Sequence, residues 1–301
     1  MSYDIRPITD DDMPAITALY NLCFDTDRSV EETRDKFDTK PTGHPLTGHV
    51  AVTETGEVVS FCGLVPVEMR IGGVSMLGAQ SVDVMTHPEH RKGGLYVDVA
   101  QKTYDLGASK GIKVVYAFPN KNSLHGLRKN LGWDIRGEMV GLSMRLQWWR
   151  KFRRPIPLEA QLEVLDRMTV DPVSILDLEF DGVAKTATYL SYKAQCSGSR
   201  LVRHEDLMIW LKPGERLDVA SFAWVGDEAP SSQEIHESFQ RFMQVVGARS
   251  VRFCFTDKHP LLLLLDPYCR THTSTPFGLK ALDEDLIVPE LHICRGDFDY
   301  F

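Results

Sequence analysis

The sequence has no paired cysteines and no excess of basic charge, and each absence excludes a class of protein. Its six cysteines are scattered along the chain without a CxxC spacing, so we expect neither a disulfide framework nor a zinc site. The formal net charge of −8 argues against nucleic acid as the main partner, because binding to phosphate backbones needs a basic surface.

The sequence also lacks the features of an exported or membrane-inserted protein. Its opening residues, MSYDIRPITDDD, have neither the basic start nor the apolar core of a signal peptide. No apolar run approaches the roughly 20 residues that span a bilayer. We therefore expect a cytoplasmic protein with reduced cysteines, no bound metal and no stable insertion into a membrane.

The common phosphate-binding motifs, GxxxxGK[ST] and GxGxxG, are missing, but one glycine turn stands where such a motif would function. Residues 81–86 alternate as a half-buried strand does, the residues RKGG follow at 91–94, and residues 95–108 have helical periodicity. Glycines ahead of a helix allow a tight turn whose N–H groups, with the helix dipole, bind phosphate. The sequence therefore predicts a phosphate or pyrophosphate site at this turn.

The length of 301 residues exceeds that of one typical domain and predicts two. Residues 49–53, 58–69 and 74–85 alternate in polarity and are separated by glycine turns, which predicts an antiparallel meander. Residues 217–265 follow a strand, helix, strand, helix pattern typical of an α/β domain. We predict domains at residues 1–145 and 158–301, joined by the basic and aromatic linker LQWWRKFRRPIP at residues 146–157.

Three segments, in order, resemble the GNAT acetyltransferase superfamily. The turn resembles the family's acyl-CoA motif [RQ]-x-x-G-x-[GA], with Arg91 and Gly94 in the first two fixed positions and Tyr96 where a small residue is usual. The opening IRPITDDD resembles the first strand and helix, and residues 120–133, ending in Leu-Gly-Trp, resemble the late helix and the glycine-aromatic pair. The resemblance implies an α+β fold with a mostly antiparallel sheet and flanking helices. The order of elements in the second half separately resembles a degenerate GNAT-like α/β half, and because no RxxGxG occurs there we expect it to hold no CoA of its own.

The resemblance implies acetyl-CoA as the co-substrate. In the family's arrangement, amides of the turn bind the pyrophosphate, backbone near Val84 or Met85 polarises the thioester carbonyl, and an asparagine bonds the pantetheine arm. For the asparagines, turn chemistry after Pro119 is an equal alternative. The candidate cofactor-binding residues are Val84, Met85, Arg91, Lys92, Gly93, Gly94, Leu95, Tyr96, Asn120 and Asn122.

The candidate catalytic residues match the family pattern less closely than the turn does. Asp83, on the strand before the turn, is the first candidate for the general base, and His87 at the end of that strand is the second. The family's acidic tyrosine would fall near Leu127 or Arg128, which cannot replace it. The candidate acids are instead Tyr96, Tyr116, His125 and the terminal carboxylate of Phe301, unless solvent protonates the leaving thiolate.

The acceptor is predicted from a resemblance in the tail. GDFDYF at residues 296–301 resembles the ending of two-part GNAT proteins encoded with surface-polysaccharide enzymes. This implies a monomeric or homodimeric N-acetyltransferase that acts on a small amine, above all an amino sugar, free or nucleotide-linked. The alternatives are a tandem-GNAT aminoacyl transferase that uses charged tRNA, disfavoured by the acidic net charge, and a non-catalytic acyl-CoA-binding protein.

Overall fold

The computed structural model describes residues 2–40, 43–149, 160, 163–165, 180–214 and 216–298. The chain divides into two compact units, each discontinuous in sequence. The first comprises residues 1–136 and 276–289, and the second comprises residues 137–275 and 290–301. The predicted domains are contiguous, whereas each unit here includes a segment from the other half of the chain. Hydrophobic periodicity does not report which sheet a strand joins, so the sequence gives no sign of this division.

The first unit is a mixed sheet with helices packed on it. Its helices are α1 (Met13–Phe24), α2 (Val30–Phe37), α3 (Leu95–Ser109) and α4 (Lys121–Asn130). Its strands are β1 (Asp4–Pro7), β2 (Thr47–Val52), β3 (Val58–Ile71), β4 (Val74–Thr86), β5 (Val114–Ala117) and the end of β12 (Arg270–Ala281). They lie in the order β1-β2-β3-β4-β5-β12. Only β4 and β5 are parallel to each other, so the predicted antiparallel meander of β2, β3 and β4 is confirmed.

Local sequence signals explain where these elements begin and how they pack. Ser29 and Glu32 form the predicted capping box at the start of α2, with the Ser29 Oγ accepting from the Glu32 amide. Helix α3 packs on the sheet through Val99 and Tyr104, which belong to the same buried cluster as Val115. Burial of such apolar faces supplies most of the stability of a sheet and helix pair.

The second unit repeats this arrangement. Its strands are β6 (Asp134–Arg145, of which residues 137–145 belong to this unit), β7 (Gly182–Val183), β8 (Arg200–His204), β9 (Leu207–Lys212), β10 (Leu217–Trp224) and β11 (Ser250–Thr256). Its helices are α5 (Ala187–Ser197), α6 (Ser232–Val245) and α7 (Pro260–Leu265). The sheet order is β6-β11-β10-β9-β8, and β10 runs parallel to β11. The sequence β8-β9-β10-α6-β11 therefore matches β2-β3-β4-α3-β5, which confirms a second GNAT-like α/β half.

Two predicted segments fall largely outside the described residues. Of the linker at 146–157, residues 150–157 are outside, whereas Trp148 and Trp149 are described and are 66% and 55% exposed. The last three residues, including Phe301, also lie outside. Across the described ranges, no helix is both long and apolar enough to cross a bilayer.

Candidate active site

The glycine turn forms an open corner between β4 and α3. A short 3-10 helix, Pro88–Gly93, leads into Gly94, which has the left-handed φ of +74° that glycine adopts without strain. No described atom lies within 4 Å of the position that a Cβ would take at Gly93 or Gly94. The corner is therefore not filled by Tyr96, and it can admit a ligand close to the backbone.

The first amides of α3 point into this corner. Among the described side chains, none caps the start of the helix at Gly94. The amides of Val97 and Asp98 both return to the Gly94 carbonyl, at 2.8 and 3.4 Å. The amides of Leu95 and Tyr96 precede the first intrahelical acceptor, so they are directed outward with the positive end of the helix dipole. This geometry suits a pyrophosphate.

Arg91 stands beside the same turn. Its Nε donates to the Thr86 carbonyl at 3.0 Å, which fixes the guanidinium at the end of β4. The side chain of Lys92 lies outside what the structure describes. Arg91 thus adds a positioned positive charge to the outward amides.

Strands β4 and β5 pair only over a short distance and then part. The parallel register joins Gly78, Ala79 and Gln80 to Val114, Val115 and Tyr116. Beyond this point β4 continues to Thr86, whereas β5 ends at Ala117 and the chain turns away through Pro119. Among the described residues, β5 offers β4 no pairing partner beyond Gln80, and the family resemblance places the thioester arm at this end of β4.

A β-bulge lies in the part of β4 beyond its pairing with β5. Phe61 pairs with Met85 and Gly63 pairs with Val82, so Asp83 and Val84 together oppose one residue of β3. Asp83 carries the irregularity, with a φ of +50°. Bulges disrupt the regular ladder and redirect backbone groups. The bulge therefore lies at Asp83 and Val84, and so includes one of the two residues, Val84 and Met85, whose backbone was predicted to polarise a carbonyl.

The side chain of Asp83 is held by two cations. Its Oδ2 lies 2.7 Å from Nη1 of Arg28, and its Oδ1 lies 2.8 Å from Nζ of Lys36. All three side chains are largely buried, at 4%, 15% and 8% exposure respectively. Arg28 also stacks on Tyr20, with its guanidinium carbon 3.4 Å from the ring centroid. Accepting a proton would require Asp83 to lose at least one ion pair, so this geometry does not favour it as a free base.

The second candidate base, His87, and two of the candidate acids, Tyr116 and His125, lie in three different environments. His87 caps the following 3-10 helix, because its Nδ1 accepts from the Glu89 amide at 3.3 Å. Tyr116 is fully buried against Phe118 and Phe277. His125 is exposed on α4. Of these groups, His87 alone lies at the end of β4.

Tyr96 reaches α4. Its hydroxyl accepts from Nδ2 of Asn130 at 3.3 Å and lies against Gly126, where a Cβ would come within 1.9 Å of that oxygen. The hydroxyl thus reaches the helix on which the family's tyrosine was expected, near Leu127. A glycine at position 126 is what makes this contact possible.

The asparagines predicted to bond the pantetheine arm lie at the start of α4. The Asn120 Oδ1 accepts from the Ser123 amide at 3.0 Å, so Asn120 caps the helix. This cap is the turn chemistry that the sequence left open as an alternative. The side chain of Asn122 lies outside what the structure describes.

Two ionisable groups buried near β4, Cys62 and Tyr104, do not titrate near neutral pH. Burial raises the pKa of the Cys62 thiol to about 12. Burial likewise holds the pKa of Tyr104 well above its ordinary value, and the Tyr104 hydroxyl lies 3.2 Å from the Ser81 Oγ. Neither group serves as a nucleophile or an acid. Within the described ranges, no cluster of three or more His, Cys, Asp or Glu side chains could hold a metal ion.

The matching position in the second unit is closed. Ser231 caps the start of helix α6: its Oγ accepts from the Glu234 amide, while the Glu234 carboxylate accepts from the Ser231 amide. This capping box engages the amides of Ser231 and Glu234, and it places a carboxylate at the helix start that Gly94 does not have. The second unit therefore lacks the acyl-CoA turn in its structure as well as in its sequence.

Comparison with known proteins agrees with this geometry. Residues 4–136 match the family model described as "Acetyltransferase (GNAT) domain". No curated protein matches the sequence.

Solved structures share the fold over both units. A GCN5-related N-acetyltransferase from Kribbella flavida is 15% identical, over 94% of this chain and 72% of that one, with a TM-score of 0.64. The GCN5-related N-acetyltransferase from Anabaena variabilis is 13% identical, over 93% and 73%, with a TM-score of 0.61. Eis1 from Mycobacterium abscessus is 11% identical, over 94% and 74%, with a TM-score of 0.60. Identities this low establish the fold alone.

The open turn, the parting strands and the domain match over residues 4–136 agree with one another. Residues 4–136 are a GNAT acetyltransferase domain, and this part of the chain is that of an acyl-CoA N-acyltransferase.

Proposed function

We propose that the protein transfers an acetyl group from acetyl-CoA to the amine of a small molecule. The observation that carries this proposal is the start of α3 at Gly94, which none of the described side chains caps and which lies at the end of a strand that parts from its parallel neighbour. Such a start supplies amides to a pyrophosphate, and the end of β4 that β5 does not pair supplies a path for the pantetheine arm.

The chemistry needs few protein groups. The neutral amine attacks the thioester carbonyl, a tetrahedral intermediate forms, and its collapse releases the CoA thiolate and the amide product. Backbone N–H groups at the bulge, near Val84 and Met85, stabilise the negative charge that develops on the carbonyl oxygen. The ammonium of the intermediate loses one proton to a base, and the thiolate gains one from an acid or from water.

The side chains divide these roles. Asp83 acts as a positioning residue, because its ion pairs with Arg28 and Lys36 fix the bulge to α2 and to the turn before it. Because Nδ1 of His87 accepts from the Glu89 amide, the neutral ring carries its hydrogen on Nε2, so His87 takes the amine proton on Nδ1 and gives up this bond. Tyr96 donates to the thiolate. The terminal carboxylate of Phe301 competes for the acid role, and deleting Tyr300 and Phe301 tests it: lost turnover with unchanged CoA affinity would assign the role to the tail.

The acceptor is proposed to be an amino sugar, free or nucleotide-linked. This assignment rests on the resemblance of the tail GDFDYF to two-part GNAT proteins. The net charge of −8 disfavours an aminoacyl-tRNA as the donor.

Calorimetry and a thiol-release assay test the proposal. We expect acetyl-CoA to bind with one site per chain and free CoA thiol to appear faster when an amino sugar is added. A panel of amino sugars, polyamines and amino acids distinguishes acceptor classes, and charged tRNA is included as an alternative donor. Absence of acetyl-CoA binding would refute the function, whereas binding without turnover on any amine would indicate a non-catalytic acyl-CoA-binding protein.

A further inference from the structure

The second unit contains a cationic pocket at the beginning of β10 and β11. A cavity of about 330 Å³ opens there. It is lined by Lys212, Pro213, Gly214, Arg216, Asp218 and Arg252. This size is at the lower end of the range of about 300 to 1,000 Å³ that is typical of small-molecule sites.

The register of three strands brings the charged residues together. Asp218 on β10 is paired with Lys212 on β9 and with Arg252 on β11. Directly paired residues point to the same face of a sheet. Their side chains therefore form one row across adjacent strands.

A single carboxylate orders two guanidinium groups in this row. Nε and Nη2 of Arg252 donate to the two oxygens of Asp218 at 2.7 and 2.8 Å. Arg295, from the segment after β12, places Nη2 at 3.2 Å from Oδ1 of the same carboxylate. A bidentate pair of this kind fixes the plane of the guanidinium. It also leaves Nη1 of Arg252 on the side away from the carboxylate.

The charges in the pocket are unbalanced. Three cationic side chains, Lys212, Arg216 and Arg252, line the pocket with the carboxylate of Asp218, and Arg295 pairs with the same carboxylate. Glu215 follows Gly214 in sequence and lies outside the described residues. If the negative charge of Glu215 is counted, positive side chains still outnumber negative ones in this segment of the sequence and on its neighbours. The chain as a whole, by contrast, carries a net charge of −8. A local excess of arginine and lysine on an acidic protein is suited to an anion with more than one negative charge.

We propose that this pocket binds a small phosphate-bearing molecule. Planar arginine forks match the oxygens of a phosphate group, and lysine adds a compact charge. The volume suits one or two phosphate groups rather than a nucleic acid strand. The site is separate in sequence from the acyl-CoA turn, and it lies in the unit whose own helix start at Ser231 is capped.

The test uses the full-length protein with inorganic pyrophosphate as the probe. Saturating CoA is present throughout, so that the turn at Gly94 is occupied and any remaining binding is elsewhere. The variant Lys212→Gln/Arg216→Gln leaves Asp218 paired with Arg252 and Arg295. Calorimetry should show at least about tenfold weaker pyrophosphate binding in this variant. Arg216→Lys, which keeps the charge but loses the planar fork, should have an affinity between those of the wild type and the double variant.

Lys102→Gln, which removes an exposed lysine on α3, is the matched control and should not change the affinity. The thermal unfolding midpoint of each variant verifies that it is folded. The proposal is overturned if the CoA-saturated wild type binds no pyrophosphate, or if the double variant binds as tightly as the wild type. CoA affinity is measured separately, so either result is independent of the proposed acetyl transfer.

Discussion

Lys36 and Asp83 form a buried ion pair, with 2.8 Å between Nζ and Oδ1, although 47 residues separate them in sequence. Asp83 is the residue that bulges out of β4, and Lys36 belongs to α2. The pair therefore connects a helix of the first unit to the distorted part of the strand that is expected to face the thioester. The shape of the bulge depends on this contact as well as on the strand itself.

Replacing Asp83 with asparagine should destabilise the protein. Asparagine tolerates the φ of +50°, but the neutral amide leaves Arg28 and Lys36 buried without their counter-charge. We expect a loss of about 3 kcal/mol in the free energy of unfolding, measured by urea denaturation. Asp134→Asn breaks an exposed pair with Arg136 and should cost less than about 1 kcal/mol. Equal losses in the two variants would contradict the buried role of Asp83.

Replacing Gly94 with valine should weaken acetyl-CoA binding more than it weakens the fold. The substitution introduces a β-branched side chain at positive φ and places it in the corner where pyrophosphate would lie. Gly111→Val is the matched control, because Gly111 also has positive φ, at +87°, and an open surrounding among the described atoms, but it follows the other end of α3. Calorimetry should show a Kd raised at least about a hundredfold for Gly94→Val alone. Similar Kd values in the two variants would argue against the turn as the binding site.

Replacing Tyr96 with phenylalanine should lower kcat while leaving the Kd for acetyl-CoA unchanged. If the Tyr96 hydroxyl protonates the thiolate, its loss should reduce kcat by about a hundredfold. Tyr104→Phe removes a buried hydroxyl on the same helix, one whose pKa is too high for an acid, and should keep its kcat. Thiol release under saturating substrates measures both. An unchanged kcat for Tyr96→Phe would assign the proton to solvent or to the tail.

Acid should destabilise the second unit through His259. Burial, followed by the nearby charges of His292 and Lys185, lowers the pKa of His259 to about 3. An unfolded histidine titrates near 6.5, so between these values the unfolded chain holds one more proton than the folded chain. The contribution of His259 to the free energy of unfolding is therefore fully present above about pH 6.5. As the pH falls below 6.5, stability is lost at about 1.4 kcal/mol per pH unit.

The variant His259→Asn isolates this contribution. The His259 side chain caps α7 by accepting from the Leu261 amide, and asparagine can do the same without titrating. Between pH 7 and pH 5 the free energy of unfolding should fall by about 2 kcal/mol less in the variant than in the wild type. Because the pKa of His292 is also lowered, some acid sensitivity should persist. Exposed His125→Asn is the control, and the same pH dependence in all three proteins would contradict the assignment.

Local signals allowed much of the first unit to be predicted from sequence. The alternation of residues in β4, the glycines at 93 and 94, and the periodicity of α3 all act over a few residues. They located the turn and the strand before it. The capping box of Ser29 and Glu32 likewise predicted α2, because both of its hydrogen bonds lie within one helical turn.

Contacts between distant segments could not be predicted in this way. The ion pair of Arg28 with Asp83 joins residues 55 apart in sequence, and neither residue carries a local pattern that names the other. The charge of Asp83 suggested a base, whereas the structure surrounds it with cations. The contact of Tyr96 with Gly126 could not be predicted for the same reason. Only the packing of α3 against α4 brings the Tyr96 hydroxyl to that glycine.

The first unit includes a segment from late in the sequence, residues 276–289, and this affects how the unit folds during synthesis. Strand β5 is flanked by β4 on one side and by residues 278–281 on the other. A ribosome will have released residues 1–136 long before it adds this strand segment, so the acyl-CoA corner must wait beside an unpaired strand edge until residues 278–281 have been made. Maturation of the first unit is thereby tied to synthesis of residues 137–275, which belong to the second unit.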